Sequence, residues 1–102
     1  MNNLMELEKN LNEACNLMKV LSNPERMLLL CKLSKEEKNV SELEVELNIK
    51  QPTLSQQLTV LRNEKLVETR RDGKSIYYKL KDDKALAVMN TIYNQFCIGG
   101  VK

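Results

Sequence analysis

A run of uncharged hydrogen-bonding side chains lies between residues 51 and 59, and no carboxylate interrupts it. Leu54, Leu58 and Leu61 recur through this stretch at three- and four-residue spacing, which predicts a helix buried on one side. Glu and Lys dominate ordinary solvated helix faces, whereas Ser, Thr and Gln suit hydrogen bonds to base edges in the major groove. We therefore predict a DNA-reading helix that makes its contacts through Gln51, Thr53, Ser55, Gln56, Gln57 and Thr59. The alternative is a helical hairpin with a solvated polar face.

The residues ahead of this helix predict a helix-turn-helix. Its first helix is expected to begin at Ser41, with Glu44 three residues later as in a capping box. Residues 48–50 then break the apolar pattern. The second helix is expected to open at Pro52, because a missing N–H costs nothing in the first turn.

A β-hairpin is predicted directly after the second helix. Residues 66–71 and 75–80 alternate in the manner of β-strands around a turn at residues 72–74. A helix-turn-helix continued by a hairpin is a winged helix, here with a basic wing that would reach phosphates or the minor groove through Arg70, Arg71 and Lys74. Residues 50–81 hold 8 Lys+Arg against 3 Asp+Glu, whereas residues 1–49 hold 6 against 9. The positive charge therefore lies where a phosphate-binding surface is expected.

Length and composition indicate one soluble globular domain over residues 1–102. The chain is 42% hydrophobic and 29% charged, with a net charge of +2. Because it has no apolar run of membrane-spanning length and no secretory signal at its start, we expect a cytoplasmic protein that does not bind membranes. Its three cysteines are then expected to be thiols.

Three further helices are predicted outside the winged unit. Residues 4–21 carry one continuous apolar stripe, and Asn23 and Pro24 restart the chain as the cap and first residue of a core helix ending at residue 33. Asp82 and Asp83 open a last helix that ends at residues 97–100. The first apolar face is long for so small a domain, and a dimer seam is a reasonable use for it. The predicted fold is mainly α with a β-hairpin wing, in the order α-α-α-α-β-β-α.

Two segments resemble the ArsR/SmtB family of repressors. Residues 14–21 followed by SNPER look like the opening of these proteins, and QPTLSQQLTVLRNEKLVETRRDGKSIYYKL looks like their recognition helix and wing. The resemblance covers nearly the whole chain and implies a homodimeric winged-helix repressor that an inducer releases from double-stranded operator DNA. It also implies a dimer made by the first and last helices, which places at the interface Leu4, Leu7, Leu11, Met18, Met89 and Tyr93.

Many members of this family sense metals, but the ligand positions are not occupied by suitable residues here. The family's Cys-x-Cys ahead of the helix-turn-helix corresponds to Asn39 and Ser41, which are not soft ligands. The family's site on the last helix uses Asp and His, and this chain has no His to accompany Asp82 and Asp83. We therefore expect no metal and no cofactor, although a thiolate site built from the three cysteines stays open.

Two cysteine segments carry a further resemblance. LLLCKL around Cys31 and YNQFCIGG around Cys97 look like the cysteine segments of the BigR/SqrR branch of this family. The resemblance implies redox sensing of low-molecular-weight persulfides or polysulfides, which bridge the two thiols and lower DNA affinity. A helical Cys taken alone is more often a small hydrophobe, which is our interpretation of Cys15 in the first apolar stripe.

We therefore predict a non-enzymatic, sulfane-sulfur-responsive repressor that binds an inverted-repeat operator as a homodimer while Cys31 and Cys97 are reduced. The alternative within the family is a repressor that responds to a metal or to oxidants in general. A winged-helix interaction module without DNA binding would not need the polar helix face together with the basic wing. A thiol oxidoreductase would need the Cys-x-x-Cys and the strand–helix alternation that this chain lacks.

Overall fold

The computed structural model describes residues 2–98 of the chain. The elements follow in the order α1 (Asn2–Lys9), α2 (Leu11–Leu21), α3 (Pro24–Lys35), β1 (Lys38–Asn39), α4 (Val40–Leu47), α5 (Thr53–Asn63), β2 (Val67–Asp72), β3 (Ser75–Leu80), α6 (Asp83–Tyr93) and a π-helical turn (Asn94–Ile98). Helices α4 and α5 form the helix-turn-helix and strands β2 and β3 form the wing, so the predicted winged helix is confirmed. The last helix is predicted to end at residues 97–100, and of these Gly99 and Gly100 lie outside the described residues.

Leucines of three helices fill the centre of the core. The largest fully buried side chains are Leu29, Leu30 and Leu33 of α3, Leu43 of α4, and Leu54, Leu58 and Leu61 of α5. Each such burial contributes about 1.5–3 kcal/mol, so this cluster fixes the helix-turn-helix on α3. The predicted leucine stripe and the predicted core role of α3 are both confirmed. Within residues 2–98, every helix is too short or too polar to cross a membrane.

The N-terminal apolar stripe is divided between two helices, so the predicted continuous helix over residues 4–21 is wrong. Helix α1 ends at Lys9 and α2 begins at Leu11, with Asn10 between them at φ −108° and ψ 12°. The Asn10 backbone N–H donates to Leu7 O (3.0 Å), and its side chain donates to Glu6 O (3.0 Å). Asn competes with the helical ladder through such local bonds, which explains the break.

The cap of α4 lies two residues earlier than predicted. The Asn39 side chain accepts from Glu42 N (2.8 Å), and the Glu42 carboxylate accepts from Asn39 N (2.9 Å), so Ser41 is not the cap. Residues 39 and 42 satisfy the same capping-box spacing as residues 41 and 44, and pairing of β1 with β3 keeps residue 39 extended. Helix α5 begins at Thr53 rather than Pro52, which precedes it as the N-cap residue.

The wing belongs to a three-stranded antiparallel sheet with the order β1-β3-β2. Its pairs run from Val67 opposite Leu80 at the base to Asp72 opposite Ser75 at the tip, where Gly73 supplies a positive φ of 65°. Strand β2 starts one residue later than predicted, because Leu66 N still donates to Leu61 O (3.0 Å) at the end of α5. The two-residue strand β1 has no periodicity and was not predicted.

Helix α6 begins as predicted, with the Asp82 side chain accepting from Ala85 N (2.8 Å). Its inner face includes Met89, which is only 2% exposed and packs in the core of this chain. The prediction that Met89 lies on a dimer surface is therefore wrong. The period of α6 defines an apolar face but does not say whether that face meets the chain's own core or a second copy.

Candidate nucleic-acid interface

The outer side of α5 carries three of the predicted base-reading residues, Ser55, Gln56 and Thr59, all of which are exposed. Gln51 is exposed ahead of the helix, where its side-chain oxygen accepts from Ser55 N (3.0 Å). The Thr59 hydroxyl donates to Ser55 O (2.8 Å), and Thr53 is half-buried. Gln56 is therefore the long amide that extends from the middle of this face.

Gln57 differs from its neighbour because it is half-buried against α3. Its amide nitrogen donates to Glu25 Oε1 (3.0 Å) and Asn23 Oδ1 (3.4 Å), and its amide oxygen accepts from Arg26 Nη1 (3.3 Å). Both ends of this amide are engaged inside the protein, so its assignment to the base-reading set is corrected. The helical pattern of α5 alone does not show where α3 lies.

The three basic residues of the wing have different surroundings. Arg71 and Lys74 are exposed at the hairpin, whereas Arg70 Nε lies 2.8 Å from Glu37 Oε2. The Arg70 guanidinium also lies 4.7 Å from the centroid of the Tyr77 ring. The hydrogen bond to Arg70 lowers the pKa of Glu37, and the same bond raises the pKa of Arg70. Arg70 is therefore paired within the protein, while the other two can approach a phosphate directly.

A carboxylate between two lysines joins α4 to the C-terminal half of α3. Glu46 lies 2.9 Å from Lys32 Nζ and 3.0 Å from Lys38 Nζ. The side-chain hydrogen bond from Lys32, followed by that from Lys38, lowers the pKa of Glu46, and the bond to Glu46 raises the pKa of Lys38. These pairs position the first helix of the helix-turn-helix.

Both N-terminal helices expose apolar side chains. Leu4, Leu7, Leu11 and Met18 are between 46% and 63% exposed, whereas Tyr93 of α6 is half-buried. A groove of about 490 Å³ lies between α2 and the start of α6, with its apolar lining contributed by Ala14, Leu17, Met18, Val20, Leu66 and Val88. Lys84 Nζ lies 2.7 Å from Glu13 Oε2 at its rim.

The three cysteines are free thiols in different surroundings. Cys15 is exposed on α2, Cys31 is half-buried and packs against the core, and Cys97 is exposed on the π-helical turn. Lys35 follows Cys31 by one turn on α3, and its Nζ lies 4.0 Å from the centroid of the Tyr93 ring. Tyr93 in turn precedes Cys97 by about one turn, so this contact between α3 and α6 is made by residues about one turn from each cysteine along the chain.

The residues at the family's metal positions have structural roles here. Asn39 caps α4, Asp82 caps α6, and Ser41 is exposed. Among residues 2–98, no three Cys, Asp or Glu side chains come together as a metal-binding group.

Comparison with known proteins agrees with this geometry. The profile of the arsR family of bacterial regulatory proteins matches residues 23–69, from the cap of α3 into the wing. The chain is 50% identical to the biofilm growth-associated repressor of Xylella fastidiosa over 90% of its own length and 81% of that protein. It belongs to the ArsR family. This ArsR-family chain is also 47% identical to the biofilm growth-associated repressor of Agrobacterium fabrum, over 92% of its own length and 80% of that protein.

Solved structures give the same assignment. The crystal structure of the repressor BigR from Xylella fastidiosa superposes with a TM-score of 0.87 at 49% identity, covering 91% of this chain and 95% of BigR. Reduced HlyU from Vibrio cholerae superposes with a TM-score of 0.85 at 35% identity, covering 90% of this chain and 97% of HlyU. The ArsR-family chain is therefore a DNA-binding transcriptional repressor and not an enzyme, as predicted.

Proposed function

We propose that this ArsR-family protein is a thiol-switched repressor that binds an inverted-repeat operator as a homodimer and leaves it when Cys31 and Cys97 are bridged. The observation that carries the proposal is the contact of Lys35 with Tyr93, which joins α3 to α6 about one turn from each cysteine. A covalent link at this junction would couple the helix beneath the helix-turn-helix to the last helix.

The proposed homodimer is supported by the apolar surface of α1 and α2. The side chains of Leu4, Leu7 and Leu11 give α1 and α2 an apolar surface exposed to water, which is unfavourable. The groove beside α2 provides a second apolar surface that can pack against it. Helix α1 of a second copy is the occupant we propose for this groove. Burial of both surfaces would place two recognition helices in one assembly, about 34 Å apart on successive major grooves.

In the proposed complex, Gln56 reads base edges from the exposed face of α5, with Gln51, Thr53, Ser55 and Thr59 around it. Arg71 and Lys74 of the wing bind phosphates. Base contacts then supply sequence preference, while the wing supplies affinity that is independent of sequence and sensitive to salt.

The proposed inducer is a low-molecular-weight persulfide or polysulfide. The exposed Cys97 thiolate attacks the sulfane sulfur of RS–SH, so that the outer sulfur is transferred to Cys97 and RS⁻ leaves. Cys31 then attacks the inner sulfur of the Cys97 persulfide, forming the disulfide and releasing hydrosulfide. If both cysteines carry added sulfur, the same displacement leaves a polysulfide bridge, which spans a longer gap than the Cα separation of about 7 Å that limits a plain disulfide.

The test is release from DNA. An operator duplex is selected by the reduced protein from a randomised library, and its binding is followed by fluorescence anisotropy before and after addition of glutathione persulfide. Cys31→Ser and Cys97→Ser are each expected to bind the reduced-state operator normally and to remain bound after treatment. Cys15→Ser, the matched control, is expected to be released like the wild type. Full release of the Cys31→Ser, Cys97→Ser double variant would contradict the proposal.

A further inference from the structure

One guanidinium joins the end of α2 to the start of α3 and to the recognition helix. Arg26 Nε donates to Val20 O (2.8 Å) and its Nη2 donates to Lys19 O (3.3 Å), both in the last turn of α2. Its Nη1 donates to the amide oxygen of Gln57 on α5 (3.3 Å). A positive group beside the last carbonyls of a helix is favourable, so this arrangement also stabilises the end of α2.

The Gln57 amide completes the connection from the side of α5. Its nitrogen donates to Glu25 Oε1 (3.0 Å) and to Asn23 Oδ1 (3.4 Å), which also accepts from Arg26 N (3.0 Å) as the cap of α3. The amide therefore has one orientation, with its oxygen toward Arg26 and its nitrogen toward acceptors on the cap and first turn of α3. A planar guanidinium makes several such bonds at once, which a Lys ammonium at the same position would not reproduce.

The hydrogen bonds of Gln57 restrict rotation of α5 about its own axis more than the leucines of α5 do. Leu54, Leu58 and Leu61 set the depth of α5 in the core, but apolar burial is non-directional, whereas a hydrogen bond requires a particular distance and angle. The directional bonds of Gln57 act on the flank of the helix and oppose that rotation. Because adjacent helical residues differ by about 100° around the axis, the angle at Gln57 also fixes the direction of Gln56.

We infer that Arg26 and Gln57 are positioning residues for sequence recognition: they set the rotation of α5 relative to α2 and α3, and so aim the exposed amide of Gln56. This inference rests on the proposed function only in taking the outer face of α5 as the surface that reads the operator. Helix α2 also carries part of the apolar surface proposed for the dimer. The bonds of Arg26 therefore also set the orientation of the recognition helix relative to the proposed dimer interface.

The experiment is a double-mutant cycle with Arg26→Lys, Gln57→Met and their combination. Affinity is measured for the duplex that the wild type selects from a randomised library and for a random duplex of equal length, at one salt concentration. Each single variant is expected to lower the ratio of selected-duplex to random-duplex affinity on the order of tenfold, and the double variant no further than either single one. Arg62→Lys, a conservative change on the exposed side of α5, is expected to keep the wild-type ratio.

The melting temperature of each variant separates positioning from a general structural role. A role in stability alone would lower the melting temperature and leave the affinity ratio unchanged well below the transition, which would overturn the inference. Additive losses in the cycle would also overturn it, because they would mean that Gln57 reads bases itself. If the wild type selected no sequence at all, the proposed function would fail and this inference with it, whereas selection by the wild type with unchanged ratios in the variants would refute the inference alone.

Discussion

The Glu37 carboxylate lies 2.8 Å from Arg70 Nε and ties the wing to the connector that follows α3. Arg70 is therefore not free in the way that Arg71 and Lys74 are, although all three lie on the same hairpin. A phosphate would have to compete with Glu37 for the Arg70 guanidinium. Because Cys31 lies on α3, this ion pair also joins the helix that carries Cys31 to the wing.

Glu37→Gln is expected to release Arg70 for phosphate contacts. Affinity should rise for operator and random DNA alike, and the slope of log affinity against log salt should steepen by about 1.8 for the homodimer, about 0.9 for each of its two added contacts. Fluorescence anisotropy titrations at several salt concentrations measure this slope. Glu36→Gln, which removes a charge from the adjacent residue, serves as the control and should leave it near the wild-type value. An unchanged slope in Glu37→Gln would show that Arg70 does not reach DNA.

Gln56→Ala is expected to weaken operator binding by about 1–3 kcal/mol and random-DNA binding much less, because a lost base contact carries sequence preference. The measurement is the pair of dissociation constants at one salt concentration. Arg71→Ala provides the comparison, since loss of a phosphate contact should weaken both DNAs similarly. Equal losses on both DNAs for Gln56→Ala would mean that this side chain does not read bases.

Leu11→Glu is expected to dissociate the proposed dimer, since it puts a charge into an apolar surface that a second copy would cover. Sedimentation velocity would then report a monomer, and operator affinity should fall with it because two half-sites are no longer read together. Val45→Glu, on the highly exposed α4 position, is the matched control for the assembly state and should remain dimeric. A monomeric Leu11→Glu that still bound the full operator tightly would contradict the dimer proposal.

The stability contribution of Glu46 is expected to depend on pH. Because Lys32 and Lys38 lower the pKa of Glu46 in the folded protein, its contribution is present above the pKa of the unfolded chain. It is lost as the pH falls through the folded-state pKa. Urea unfolding should therefore show Glu46→Gln less stable than the wild type near neutral pH, with the difference shrinking toward acid. Glu8→Gln, on exposed α1, controls for the loss of a surface charge. A difference in unfolding free energy between the wild type and Glu46→Gln that stayed constant with pH would contradict the stabilising role of the Glu46 carboxylate.

The sequence predicted elements whose pattern is local. The leucines of α5 and the strand at residues 75–80 follow from spacing, and the cap at Asn23 with Pro24 after it is a short-range signal that the structure confirms. The break at Asn10 was missed because apolar periodicity continues on both sides of it. The sequence places the α4 cap at Ser41 because two overlapping capping boxes, at residues 39–42 and 41–44, both fit this stretch.

The features of the site that the sequence does not reveal depend on contacts between distant segments. Nothing in the pattern of α5 separates Gln56 from Gln57, since their difference comes from Arg26, about 30 residues earlier in the chain. The sequence pattern likewise does not separate Arg70 from Arg71, because Glu37, the partner of Arg70, is distant from it in the chain. Met89 shows the same limit, because an apolar helix face does not reveal which surface it packs against.

A sulfur-specific bridge between Cys31 and Cys97 is the central feature of the proposed switch, and mass spectrometry of the wild-type protein tests it most directly. The reduced protein is treated in parallel with glutathione persulfide, diamide and hydrogen peroxide, and the cross-linked peptides are identified after digestion without reductant. We expect persulfide to join the Cys31 and Cys97 peptides in the sample that has lost operator binding, with extra sulfur in the link where both thiols were modified. Operator release by persulfide without any Cys31–Cys97 cross-link would contradict the proposed switch, as would equal cross-linking and release by all three reagents.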